Sequence, residues 1–386
     1  MSDIFSDQNG QPDATPSSSS SLSSGFSSGS GTQDPFFAAS SAAPPPERFS
    51  FSGRGSEYFR IWIVNLLLSI LTLGVYSAWA KVRRLRYFYG NTTVAGTSFD
   101  YHGNAIAILK GRIVAVVLLF IYHTAFNLSP VLGLLALLAM GLAVPWLIWR
   151  SLQFKLYNSS YRGIRFGFRG SAGGAYKTYL LWPVLAVFTL YLLAPFVHQR
   201  IKRFQHNESR FGTSHFSFHG SVGGFYKTYL LGMGIWLFGF IAILLAFGGT
   251  IAALASSGET GVDGGGSLMF MLMLLSVYVW SFLALPLFFT LLQNLIWNNT
   301  RLGEHRFASD MRWGRTMTIM LTNVIGIVCT LGLFTPFAQI RLMRYRIESM
   351  SLQPASRLDE FIASSEAAGS AAGEGMTDLL DFDLSL

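Results

Sequence analysis

All 28 Lys and Arg side chains lie outside seven long apolar runs, at residues 61–80, 113–128, 131–149, 179–197, 229–254, 268–295 and 317–337. A helix needs about 20 apolar residues to cross a hydrocarbon core about 30 Å thick. In lipid every backbone N–H and C=O must be bonded within the protein, so runs of this kind fold as helices. The chain is 51% hydrophobic and only 12% charged, against about a quarter charged in a soluble domain. The expected fold class is an all-α polytopic membrane protein with about seven apolar membrane segments.

The net charge of +8 reads as basic loops held against anionic lipid headgroups, not as a nucleic-acid surface. Membrane lipids are therefore the expected partners, and no nucleic acid is. The single cysteine, Cys329, sits within an apolar run, so no disulfide framework or Cys-based metal site is expected. Residues 1–47 are rich in Ser, Gly and Pro and 353–386 in Ala, Ser, Gly and acids; both read as disordered tails. The second ends with Leu379, Leu380, Phe382, Leu384 and Leu386 among aspartates, a candidate docking peptide for a protein partner.

Two short patterns recur. Asn-x-Ser/Thr-x-x-Gly occurs at Asn91–Gly96, Asn158–Gly163, Asn207–Gly212 and Asn298–Gly303. Aromatic-x-aromatic-x-Gly occurs at Phe49/Phe51/Gly53, Phe99/Tyr101/Gly103, Phe166/Phe168/Gly170 and Phe216/Phe218/Gly220. The first reads as a helix end and a turn, the second as a short strand beside the membrane. Residues 65–87 also match 323–345 without gaps, pairing Asn65 with Asn323, Arg83 with Arg341 and Tyr87 with Tyr345. The pattern predicts a tandem arrangement: unit one at 48–165, unit two at 166–306 and a partial third at 307–352.

Charge bias places the hairpin tips near Asn127–Pro130 and 253–267 away from the cytoplasm, since neither carries a base. The runs 61–80, 179–197 and 317–337 are basic at both ends. They are expected to be re-entrant, broken near Thr72–Gly74, Pro183/Pro195 and Thr330–Gly332, which puts both tails in the cytoplasm. Seven straight spans form the competing topology, since a run of 20 residues is long enough to cross.

The segment Thr72-Leu-Gly-Val-Tyr-Ser-Ala-Trp79-Ala-Lys-Val-Arg83, with its turn and Phe99-Asp-Tyr101-His-Gly103, resembles the YjgN family of bacterial multi-pass inner-membrane proteins. The resemblance covers roughly 48–350, both tails lying outside it. The second unit departs, with Thr189, Leu190 and Tyr191 where Thr-Leu-Gly would fall. The resemblance implies the bacterial inner membrane and carries over no catalytic residue.

The common hydrolase, zincin and phosphate-loop motifs are absent from the sequence, so no enzyme and no cofactor is expected. His198, His206, His215 and His219 cluster in sequence and His102 aligns with His219, but they lie among Arg and Lys with only Glu208 nearby. Metal binding is not expected there. Arg83, Arg84, Arg86, Arg200, Lys202, Arg203, Arg341, Arg344 and Arg346 form basic clusters at one membrane face and are the candidate headgroup contacts. Asn65, Asn323 and His123 are the candidate intramembrane polar positions, as helix ties or as pathway linings. The expected function is a non-enzymatic, lipid-interacting scaffold or partner-binding module; the alternative is a transporter or channel for a small or amphiphilic solute.

Overall fold

The computed structural model describes residues 44–256, 264–356 and 362–363. The expected amino-terminal tail and the acidic docking peptide lie largely or wholly outside these residues, as does the centre of the 253–267 tip, 257–263.

Among the described residues four β-hairpins separate five helical hairpins, with short strands before the first and after the last. The first strand segments are β1 (Glu47–Arg48) and β2 (Ser50–Phe51). The helical hairpin α1 (Gly55–Leu71) and α2 (Ser77–Gly90) follows, then β3 (Thr92–Val94) and β4 (Thr97–Tyr101). Next come α3 (Ala105–Leu128), α4 (Pro130–Tyr157), β5 (Ser159–Tyr161) and β6 (Ile164–Phe168). An arm made of α5 (Ala172–Tyr176), a π-turn at Lys177–Leu181 and α6 (Trp182–Phe188) then pairs with α7 (Ala194–Asn207). β7 (Ser209–Phe211) and β8 (Ser214–Phe218) lead to α8 (Val222–Ser256) and α9 (Gly264–Asn298). The chain continues through β9 (Thr300–Leu302), β10 (His305–Ser309), α10 (Trp313–Cys329), α11 (Thr335–Glu348) and β11 (Met350–Gln353).

All strands join one antiparallel sheet in the order β1-β11-β10-β9-β8-β7-β6-β5-β4-β3-β2. Its two ends are one stretch of chain. Arg48 pairs with Ser351 on one flank, and Ser50 pairs with Thr93 on the other. Between them Phe49 N–H donates to Met350 O at 3.1 Å. The sheet thus curls into a ring and leaves little exposed edge. The strands are as short as expected, yet they organise the whole fold. An all-α description understates them.

The core of the ring follows from alternation along each strand. Phe49, Phe99, Phe166, Phe216 and Phe307 point inward and form a closed circuit, with neighbouring ring centroids 6.1 to 6.4 Å apart. Val94, Tyr161, Phe211, Leu302 and Leu352 form a second inward set, and Ile362 packs against it. Each such side chain contributes about 2 kcal/mol on burial. The alternate aromatics face the helices: Phe51 stacks on Phe88 and Tyr101 tilts against Tyr89. These rings lie over the glycine two residues on; a Cβ at Gly170 would sit 2.7 Å from the Phe168 ring. This close approach explains the glycine of the aromatic pattern. In the fifth copy the outer aromatic is Ser309, and Met311 stands where glycine would be.

The Asn-x-Ser/Thr-x-x-Gly copies fall in two registers. At Ala95-Gly96 and Arg162-Gly163 both central turn residues have positive φ, as a type I′ hairpin requires. Gly212 and Gly303 instead occupy the first turn position, with φ 55 and 56 and no positive φ at the residue after, the type II′ pattern. The first two asparagines, Asn91 and Asn158, therefore cap helix ends through their amides, bonding Tyr87 O and Phe154 O at 2.8 Å. Asn207 and Asn298 lie one residue earlier and accept from Phe218 N and Ser309 N across the hairpin.

Four helices are long and apolar enough to cross a membrane: Ala105–Leu128, Pro130–Tyr157, Val222–Gly249 and Ser267–Asn298. The runs 61–80, 179–197 and 317–337 are each broken into two shorter arms. Arms of 14 to 17 residues reach only about 21–25 Å. The breaks share one local design. Thr72, Thr189 and Thr330 each turn a hydroxyl back to a carbonyl of the first arm and accept from the N–H of Tyr76, Leu193 or Phe334. Leu73, Leu190 and Leu331 then take φ 48, 49 and 51, followed by Gly74, Tyr191 and Gly332 at φ 91, 64 and 94. The middle break is at Thr189–Leu193 and not at the prolines. Pro195 sits in the first turn of α7, where a missing N–H costs little, and Pro183 follows the π-turn inside the continuous first arm.

Candidate functional site

Five arms run into the sheet: α2, α4, α7 and α9 each enter the first strand of a β-hairpin, and α11 enters β11. Each packs against the outgoing arm of the next hairpin, and α11 packs against α1, so the helices close a circle as the strands do. The residue that ends each arm is Asn91, Asn158, Glu208, Asn299 or Ser349. Counting back from these aligns the arms. Thirteen positions back stand Ala78, Pro145, Pro195, Pro286 and Pro336, all buried. Small or flat side chains there let neighbouring helices approach.

The nine candidate headgroup contacts do not form one array. Arg83, Arg84, Arg86, Arg203 and Arg341 are exposed. Arg83 lies over the Tyr76 ring at 5.8 Å, and half-buried Arg200 over Phe196 at 4.8 Å. Arg344 is structural: its guanidinium donates to Gly53 O at 2.8 Å and ties α11 to the strand that closes the ring. Lys202 and Arg346 are half-buried instead. Lys202 donates to Gln205 at 3.4 Å, and Arg346 Nε donates to Gln293 at 3.0 Å, with its guanidinium over the Phe289 ring.

Burial pushes the Lys202 ammonium below its ordinary value, and the charges of Arg346 and Lys155 push it further. Lys81 is lowered by burial, then by Arg112 and Lys155. Burial also lowers Arg346. Cations from α3, α2, α4, α7 and α11 thus repel one another in sequence. Like charges gathered this way hold an electrostatic preference for an anion. Lys155 and Gln293 escaped the sequence reading because neither belongs to one of the repeated basic clusters. The position they share with Arg346 and Lys202, three or six residues before the arm's end, appears only once the arms are aligned.

The intramembrane polar positions separate. Asn323 is buried, donates to Ala338 O and accepts from Arg341 Nη1, both at 3.1 Å, so it ties α10 to α11. Asn65 is equally buried, and its Oδ1 has no partner. His123 is exposed on α3 near the far tip. The clustered histidines bond hydroxyls separately: His102 meets Ser160 at 2.8 Å, and His198 meets Tyr229 at 3.0 Å. Among the described residues no three His, Cys, Asp or Glu side chains converge as a metal site would require.

The family model described as "Bacterial protein of unknown function (DUF898)" matches residues 46–379. The chain belongs to the DUF898 family. The match runs past residue 350, so most of the acidic tail lies inside the family region and not outside it as expected. Curated proteins named "Inner membrane protein YjgN" also match this DUF898 protein. The one from Escherichia coli O157:H7 is 31% identical over 147 residues, 36% of each chain. The one from Salmonella typhimurium strain LT2 is 34% identical over 140 residues, 35% of this chain and 34% of that one. The alignment spans about a third of these relatives' length. No solved structure gives a significant match. The apolar helices and the relatives together identify a multi-pass inner-membrane protein.

Proposed function

We propose that this DUF898 protein is a non-enzymatic lipid-interacting protein that binds anionic headgroups on the cytoplasmic face of the bacterial inner membrane. One observation carries the reading: every helical hairpin starts and ends at the same sheet ring. All the basic arm ends therefore belong to one side. The short hairpins are re-entrant in this reading, and both chain tails are cytoplasmic. The exposed tips at Leu73, Leu190 and Leu331 sit in hydrocarbon. Repetition of one helix-hairpin and β-hairpin unit, five times around the axis, accounts for the recurring turns and for the proline position. The closed circuit of five phenylalanines disfavours an open aqueous channel along the axis and ranks transport second.

Native mass spectrometry of the protein in gentle detergent tests this. Bound phosphatidylglycerol or cardiolipin, falling in number but not abolished when Arg83, Arg84, Arg86 and Arg203 become Gln, is the expected result. Retention of zwitterionic lipid alone would reject anionic-headgroup binding and favour a solute pathway.

A further inference from the structure

We infer that the arms enclose an axial site for a phosphate-type anion, held by Lys155, Lys202 and Arg346 with Gln293 and Gln205 as its polar frame; the inference rests on the headgroup reading above and names where the tightest headgroup sits. Lys155, Gln205 and Arg346 stand three positions before the ends of α4, α7 and α11, and Lys202 and Gln293 stand six before the ends of α7 and α9. Residues three apart share a helix face, so the two levels form one polar band within roughly 5–9 Å of the sheet at 1.5 Å per residue.

The band is preorganised. Gln293 is only 4% exposed and accepts from Arg346 Nε. This leaves the outer N–H groups of the Arg346 guanidinium to face an oxygen. Gln205 is anchored at Tyr179 OH by a 3.1 Å bond and accepts from Lys202. Among the described residues no carboxylate pairs with Lys155, Lys202 or Arg346; the ion pair on the same arm joins Arg344 to Glu348. Lys202 and Arg346 are half-buried and Lys155 is exposed; cations gathered without a counter-charge favour an anion that joins them. A guanidinium fork and two ammonium groups match a tetrahedral oxyanion. The phenylalanine circuit lies on the sheet side, so a lipid phosphate reaches the band from the membrane side, between the short hairpins.

The test uses full-length protein, the axial variant Lys155→Gln/Lys202→Gln/Arg346→Gln and the outward variant Arg83→Gln/Arg84→Gln/Arg86→Gln/Arg203→Gln. Each is read by native mass spectrometry against phosphatidylglycerol and, after delipidation, by equilibrium binding of inorganic phosphate. The axial variant loses the most tightly held lipid, with affinity falling about tenfold for each cation removed, while the outward variant keeps it. Equal retention by the axial variant and the wild type overturns the axial site and leaves headgroup binding to the outer arginines. Phosphate bound by delipidated wild type, absent from the axial variant, with no lipid retained by either, keeps the site and assigns its occupant to a soluble phosphate. That result overturns the headgroup reading. A Lys155→Arg/Lys202→Arg variant, which preserves charge, retains binding and separates loss of the site from loss of the fold.

Discussion

At the scale of single residues, the ring over each glycine of the aromatic pattern is a tight constraint. A Cβ at Gly220 would fall within the Phe218 ring. Gly220→Ala should cost about 2–3 kcal/mol in thermal or denaturant unfolding in detergent. Phe218→Ser alone leaves a cavity. In the Gly220→Ala background it should cost at least 1 kcal/mol less, because the clash has gone. Simple additivity in the double-mutant cycle would refute this account. His206 supplies a second prediction. Its ring packs against Phe218 and Trp297. Burial, then the Lys202 charge, lowers it to about 4 from 6.5. The unfolded state therefore binds a proton that the folded state refuses between those values. The stability His206 contributes is complete above about pH 6.5 and is lost as pH falls toward about 4, at up to about 1.4 kcal/mol per unit. His206→Gln should flatten the acid limb of a melting-temperature profile between those values; an unchanged slope would contradict the assignment.

At the scale of elements, the three broken hairpins differ in one residue. Gly74 and Gly332 take left-handed φ freely, but Tyr191 adopts φ 64 with a bulky side chain, a strain of about 1–2 kcal/mol. Tyr191→Gly should stabilise the protein by about 1 kcal/mol, while Gly332→Ala should destabilise it by a similar amount. Thr330→Val removes the acceptor for Phe334 N–H and should cost about 1–3 kcal/mol. Stability that rises in none of these variants, or rises in all, would separate the turns from the threonine clamp. The sequence made the first and third turns legible through Thr-Leu-Gly. The second was masked because Tyr191 replaces glycine and because Pro183 and Pro195 nearby looked like the breakers. Pro195 lies in a first turn and Pro183 behind the π-turn, and neither ends its arm.

For the whole molecule, the sheet places position 90 and position 158 on one side and the α3–α4 tip on the other. With Cys329 replaced by Ser, Gly90→Cys should resist an impermeant thiol reagent in intact spheroplasts, and Asn127→Cys should react. Reaction at position 90 would reject the re-entrant topology. The membrane class was written in charge placement, and strand existence in alternating aromatics. The ring itself was not legible. The fifth copy of the aromatic pattern carries Ser309 and Met311 instead of the aromatic and the glycine, and the Asn…Gly copies align by their glycines across two different turn types. The axial band was hidden for a related reason: its members come from four arms, one or two from each, and no local window of sequence contains more than a pair.

The seam of the ring also imposes an order of manufacture. The strand at 47–51 emerges from the ribosome before every described helix, and its outer flank has no partner until Met350–Gln353 has been made. The nascent protein must therefore hold an open sheet through the insertion of all five helical hairpins. A chain interrupted between residues 310 and 349 keeps two unsealed edges, facing each other across a gap one strand wide. Completion of the carboxyl-terminal strand doubles as a test that everything before it has been built.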